Sequence, residues 1–321
     1  MKVWAHMRRL WPRFTLAPAL PFWGWALFWA IRGQLRWDHV VLALLVAGLA
    51  YGNAITKRLF IGLLPLGFVA LFYDAMRFVK NVGLTEANVH LCDLRAAELR
   101  WFGVTVAGER MTLQDWFQAH SAFWLDALCA IPYGTFLYVV AGYAVFLFVR
   151  DFAAQQRFAW GFLILNLAGF LTYHLYPAAP PWYHHLYGCV VDLAAAPSTG
   201  PNLARVDAWV GVPYFAGFYG RSSDVFGAVP SLHVSYPLLM VIIGWPKHRA
   251  LGRFLLVLFY LSMCFAAVYL DHHWVIDIVL GSGYALAVGL AHQHLGRWYA
   301  SRAVRMPDAM ESEAESTRWR G

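Results

Sequence analysis

His233, His273 and Asp277 are the residues of this chain whose types and spacing suit chemistry. They lie in two separated motifs, Phe226-Gly227-Ala228-Val229-Pro230-Ser231-Leu232-His233 and Tyr269-Leu270-Asp271-His272-His273-Trp274-Val275-Ile276-Asp277, each at the mouth of an apolar run. His273 and Asp277 stand four residues apart, a spacing that predicts one helical face and mutual reach. A carboxylate so placed orients an imidazole and stabilises its cationic form. His233 supplies what one histidine cannot, because an imidazole attacking phosphorus leaves a departing alkoxide in need of a separate proton donor. The set suits phosphoryl transfer at the edge of a bilayer. His272 is five residues from Asp277, which turns it off the carboxylate-bearing face, and is read as a neighbour that bonds a headgroup or a loop. His184 and His185 have no further ligands nearby in sequence and are read as a solvated loop, with no metal site.

The elements that must position these residues are transmembrane helices. Of the 321 residues, 60% are hydrophobic and only 13% charged, well outside the range of soluble domains. Apolar windows near residues 17–33, 37–54, 58–76, 124–149, 158–176, 231–246, 252–270 and 273–295 approach the roughly 20 residues a spanning helix needs, the first two and the sixth more weakly. The runs are continuous rather than alternating, so strands are disfavoured. The expectation is an all-α polytopic bundle of six to eight spans, with a single catalytic domain over residues 1–306 and a polar tail over 307–321.

The net charge of +7 is spread over short connections and tails instead of forming one basic face, which argues against nucleic acid as a partner. An eight-span arrangement gathers Lys2, Arg8, Arg9 and Arg13, then Lys57 and Arg58, Arg150 and Arg157, Lys247 and Arg249, and Arg297, Arg302 and Arg305 on the cytoplasmic side. Arg32 and Arg36 fall opposite, partly offset by Asp38. In this arrangement His233 and His273 face the outer leaflet. So do two long segments, residues 80–123 and 177–230, whose aromatic content argues for an ordered cap over the site. Prolines in Tyr176-Pro177-Ala178-Ala179-Pro180-Pro181 stop the fifth span. Cys92 and Cys189 both fall in this outer region and are within the reach of pairing, but unpaired loop cysteines are the expectation.

The motifs Pro230-Ser231-Leu232-His233 and His273-Trp274-Val275-Ile276-Asp277 resemble those of the phosphatidic acid phosphatase type 2 superfamily. Within it the chain is most similar to the inositol phosphorylceramide synthases, the aureobasidin A target type, and their bacterial relatives. That likeness rests on Ala179-Pro180-Pro181-Trp182-Tyr183, Asn202-Leu203-Ala204-Arg205-Val206-Asp207, the two histidine motifs through Gly281, and a weaker echo at Tyr73-Asp74-Ala75-Met76-Arg77. The resemblance implies a phosphotransferase without cofactor or metal. His273 would attack the phosphodiester of a phosphatidylinositol-like donor, Asp277 would orient it, and His233 would protonate the leaving diacylglycerol. A ceramide-like hydroxyl would then take the phospho-headgroup from a phosphohistidine. Where phosphatases of the superfamily carry Ser-Arg, this chain has Ala266 and Ala267, and the Lys-x6-Arg-Pro motif is absent, which weighs against the alternative of a lipid phosphate phosphatase. Phosphate or substrate binding is then expected from Ser231, Arg205, Arg77, Arg221, Lys80, Tyr183 and His272, with the amides that start the sixth span. The compact length and short tail favour a bacterial cytoplasmic membrane, or a Golgi membrane in a eukaryote, and the eight-span arrangement puts the site on the non-cytoplasmic side. Protein partners are not readable.

Overall fold

The computed structural model describes residues 2–220 and 224–292, so Arg221 and the 307–321 tail lie outside the described residues. Helix α1 (Lys2–Leu10) is short and exposed, and α2 (Leu20–Ile31) and α3 (Trp37–Tyr51) are short apolar helices. Five helices are long and apolar enough to cross a membrane: α4 (Ala54–Val79), α7 (Phe123–Arg150), α8 (Phe152–Leu175), α13 (Ala250–Tyr269) and α14 (Val275–His292). The protein is an integral membrane protein of all-α class. Helix α12 (Leu232–Gly244), the sixth expected span, is 13 residues long, and with α2 and α3 it makes up the weaker windows.

Local chemistry sets the helix starts. Asn53 caps α4 by accepting from the amides of Ile55 (2.8 Å) and Thr56 (3.0 Å), and Asp151 caps α8 through Ala154 (2.9 Å). Helix α8 packs against α4 and α12, α12 against α13, and α13 against α7. Their shared core includes Phe136, Leu165, Leu232, Leu239, Met263 and Tyr269. Lys247 pairs with Asp151, which joins the α7–α8 and α12–α13 connections at one end of the bundle, opposite the histidines.

At the other end, the two long segments do pack over the histidines. The first contains α5 (Cys92–Phe102), a small hairpin of β1 (Val104–Val106) and β2 (Glu109–Met111), and α6 (Leu113–Ala119). That hairpin is the one strand pair among the described residues. The second contains α9 (Pro181–Tyr187), α10 (Gly200–Val210) and α11 (Tyr214–Tyr219). The prolines after α8 leave an extended stretch stitched on both sides. Ala179 N donates to His90 O (2.9 Å), Ala178 N to Phe226 O (2.7 Å), and Ala228 N to Ala178 O (3.1 Å). This stretch thereby fixes Ala228, whose carbonyl faces the catalytic candidates.

Two expectations for the cap are corrected. Cys92 and Cys189 form a disulfide, because α5 and the segment after α9 meet across 97 residues of sequence. His184 and His185 are not a solvated loop. His185 bridges two carboxylates, through Nε2 to Asp115 (2.9 Å) and Nδ1 to Asp271 (2.6 Å), and Arg95 also pairs with Asp115 (2.8 Å). Asp115 sits below the usual carboxylate range, its burial outweighed by bonds from His185 and Thr112 and by Arg95. Asp271 is pushed up to about 6 by burial, against the pull of His185. Bonds to the two carboxylates, Asp115 and Asp271, raise His185 to about 9.

A histidine raised above its ordinary value of about 6.5 contributes stability that is fully present below that value and is lost as pH rises through its folded value. The tie from the cap to Asp271 should therefore hold at neutral pH and loosen as pH passes about 9. Proteinase K digestion across pH 7–10 should begin to cut residues 188–199 near the upper value, and His185→Gln should be cut equally fast throughout. A wild-type cleavage rate that does not change with pH contradicts this role.

Candidate active site

The site is built where α12 and α14 begin side by side. The close approach depends on Gly281, where an added Cβ would lie 2.3 Å from the carbonyl oxygen of Ser231. With that room, Ser231 N donates to Asp277 O (3.0 Å), and Ser235 Oγ lies 2.7 Å from Ser231 O and 2.8 Å from Gly281 O. These bonds fix His233, two residues after Ser231, against the first turn of α14.

His273 and Asp277 do meet, but not along one helical face. His273 precedes α14, and Asp277 sits in its first turn as a capping group. Asp277 Oδ2 accepts from Trp274 N (2.9 Å) and lies 3.3 Å from His273 Nδ1. His273 Nδ1 is also 3.1 Å from the carbonyl of Ala228. Both partners only accept when Asp277 is ionised, and a carbonyl does so always, so this pattern assigns the proton to Nδ1 and the lone pair to Nε2. That Nε2 faces His233 Nδ1 at 3.2 Å, which makes His233 Nδ1–H the donor. Burial pulls His273 down to about 4, so the imidazole is neutral near pH 7 and its Nε2 carries a lone pair that accepts from His233.

The shell around the pair is aromatic. The Tyr133 ring stacks on His233 with centroids 4.8 Å apart and planes 13° apart, and Phe136 lies edge-on at 4.8 Å. His272 is buried, with Nε2 bonded to Thr199 O (2.8 Å). It is a loop anchor, one of the two roles expected of it. Tyr183 is internal to the cap, its hydroxyl held by the backbone of Asp192.

The expected phosphate cations are largely committed elsewhere. Arg205 forks onto Asp126 through Nε (2.8 Å) and one terminal nitrogen (3.0 Å), and the same buried carboxylate accepts from Asn202 (2.8 Å) and Tyr269 (2.8 Å). Arg77 pairs with Asp74, which also binds Arg36, Trp25, Trp29 and His39. An arginine already neutralised by a buried carboxylate offers little net charge to a phosphate. Lys80 ends α4, half-buried, where its charge acts on Asp224. Among the described residues, Ser231 Oγ is buried at the start of α12 without a hydrogen-bond partner, and no side chain caps that helix.

Glu98 and Gln114 were not singled out from sequence. Both are fully buried. Glu98 accepts from the amides of Val275 (2.8 Å) and Ile276 (3.2 Å), so a residue of α5 caps α14 from 177 positions away. Burial holds its carboxyl above the usual range, against the pull of those amides. Gln114 Nε2 donates to the carbonyl of His273 (3.0 Å) and lies 3.3 Å from Glu98. A usable signal exists, since Leu94 and Glu98 share the buried face of α5, and a carboxylate on an apolar face needs a partner.

The PAP2 superfamily model matches residues 104–291, which include the hairpin and α6 of the first cap segment, the whole of the second and all three catalytic candidates, while α5 lies before the match. The phosphoinositol dihydroceramide synthase of Bacteroides thetaiotaomicron is 33% identical over 256 residues, covering 78% of this chain and 82% of the relative. The inositol phosphorylceramide synthase catalytic subunit of Saccharomyces cerevisiae is 28% identical over 80% of this chain and 62% of its own length. That of Schizosaccharomyces pombe is 31% identical over 49% of this chain, which spans only 37% of it. No solved structure matches the chain.

Removing Glu98 should expose the dependence of the site on its cap. Glu98→Ala leaves two part-buried amides unpaired and should cost about 1–3 kcal/mol in stability. Glu98→Gln, which keeps one accepting oxygen, should recover part of that. Thermal unfolding in detergent checks both, and an unchanged midpoint for Glu98→Ala rules the capping role out.

Proposed function

Since the chain belongs to the PAP2 superfamily, we propose that it moves phosphoinositol from a glycerophospholipid to the primary hydroxyl of a ceramide or dihydroceramide. The carrying observation is the buried chain His233–His273–Asp277, with a lone pair assigned to His273 Nε2 beside the His233 proton. The names of the relatives supply the headgroup and the acceptor class.

In the first step His273 Nε2 attacks phosphorus, and the bond from phosphorus to the diacylglycerol oxygen breaks. Attack develops positive charge on the ring, which the Asp277 carboxylate stabilises through Nδ1–H. His233, entering this step as the imidazolium, gives one proton to the leaving oxygen and becomes neutral, so diacylglycerol departs neutral and phosphoinositol stays on His273. In the second step His233 takes the proton of the ceramide hydroxyl, whose oxygen attacks phosphorus while the phosphorus–nitrogen bond breaks. Phosphoinositol-ceramide leaves and both histidines return to their starting states. The amides at the start of α12 and the Ser231 hydroxyl form an anion site for the phosphate.

A phosphatase using water is the weaker reading. Ala266 and Ala267, both fully buried, stand where the phosphatase pattern has Ser-Arg. A phosphodiester carries one negative charge and needs less compensation than a doubly charged monoester. The aromatic shell about His233 also favours an apolar acceptor over water.

We place the reaction on the non-cytoplasmic face. The Cys92–Cys189 disulfide lies in the same cap as the histidines, and such bonds persist in oxidising compartments. Lys57, Arg150 and Lys247 mark the opposite end, as cytoplasmic ends do. The extent of the match to a bacterial relative supports a bacterial cytoplasmic membrane.

Purified protein given phosphatidylinositol and a fluorescent ceramide should form phosphoinositol-ceramide, resolved by thin-layer chromatography and mass spectrometry. His273→Ala and His233→Ala should each lower the rate by about 1,000-fold or more, and Asp277→Asn by less. Release of inositol phosphate in place of the ceramide product would establish water as the acceptor and overturn the transferase reading.

A further inference from the structure

The reaction proposed above needs hydrogen-bond donors around a phosphorus that gains negative charge, and the two alanines remove what the phosphatase pattern supplies there. Arg77 and Arg205 are occupied by Asp74 and Asp126. Tyr133 offers a donor of another kind. It lies on the inward face of α7, is 0% exposed, and its hydroxyl has no hydrogen-bond partner among the described residues. Burying a hydroxyl unpaired is unfavourable, and Phe would fill the same space without that cost. The ring is not isolated in the core. It stacks on His233 at 4.8 Å and lies 5.1 Å from His272 and 6.2 Å from Tyr219. His233 in turn touches the nucleophilic nitrogen of His273. The unpaired Ser231 hydroxyl stands two residues before His233, so two buried hydroxyls without partners belong to the immediate surroundings of one histidine pair.

On that basis, and resting on the proposed phosphoinositol transfer, we propose that Tyr133 is a further catalytic residue whose hydroxyl donates a hydrogen bond to a non-bridging oxygen of the phosphate during its passage through His273. The interaction strengthens as charge develops on that oxygen, and therefore acts on turnover more than on binding. No proton is transferred, and the tyrosine is unchanged by the cycle. Stacking on His233 gives the ring its second task, since it holds the acid–base imidazole in the plane from which Nδ1 meets the reacting centre.

Tyr133→Phe keeps the stacking ring and removes only the hydroxyl. The variant should lower kcat by about 100-fold with little change in KM for phosphatidylinositol, while its unfolding temperature stays equal to the wild type or rises. A merely structural hydroxyl would give the reverse, a fall in unfolding temperature with kcat following it. An unchanged kcat, a rise in KM alone, or a loss of stability equal to the loss of activity each overturns the assignment. Orthovanadate, which mimics pentacoordinate phosphorus, gives a readout that does not depend on the lipid substrates. It should raise the unfolding temperature of the wild type more than that of Tyr133→Phe, and equal or absent shifts in the two proteins count against the proposal. Wild-type protein that binds vanadate but makes no phosphoinositol-ceramide would instead sink the headgroup and acceptor assignment and leave the hydroxyl donor standing.

Discussion

The position of one proton governs this site. His273 Nδ1 lies 3.1 Å from the Ala228 carbonyl and 3.3 Å from the Asp277 carboxylate, and a carbonyl cannot donate, so the proton is fixed on that nitrogen. Everything the other nitrogen can do follows from it. Nε2 keeps its lone pair, meets the Nδ1–H of His233, and is the atom from which an attack on phosphorus can start. Were either acceptor displaced, the imidazole could turn or change tautomer and the lone pair would face the wrong way.

Much of the surrounding fold serves those two acceptors. Ala228 is held by the extended stretch after α8, itself stitched to His90 and Phe226. Asp277 is held by the first turn of α14, which Glu98 caps from α5 while Gln114 ties down the His273 carbonyl. The disulfide and the His185 bridge fasten the same cap segments to each other and to Asp271, two residues from His273. Thus the cap is more than a cover: it supplies several of the bonds that orient the His273 imidazole. The spans below provide a rigid base, with Gly281 letting α14 come against the start of α12.

How much of this was legible depended on how far apart the interacting residues are in sequence. The contact between His273 and Asp277 was legible because four positions separate them, although a capping turn and not one helical face brings them together. His233 was found because its motif opens an apolar run. The windows of the spans followed from hydropathy, and the weaker three correspond to the shorter helices. The pairings that eluded the sequence are the distant ones. Glu98 reaches Val275 across 177 residues, Arg205 reaches Asp126 across 79, and Cys92 reaches Cys189 across 97. Each residue reads locally as a loop charge or a loose thiol, and only the packing of the cap reveals its partner. Arg77 differs, since its partner Asp74 stands only three residues before it, yet from sequence Arg77 is expected among the phosphate ligands.

The central claim is that His273 carries the phospho-headgroup between two lipids. It is tested most directly by incubating the protein with phosphatidylinositol and isotopically labelled diacylglycerol in the absence of any ceramide. A covalent intermediate formed by reversible attack predicts label appearing in phosphatidylinositol, and no such exchange with His273→Ala. Exchange that requires ceramide, or that persists without the His273 imidazole, would contradict the account and point to direct transfer between the two lipids.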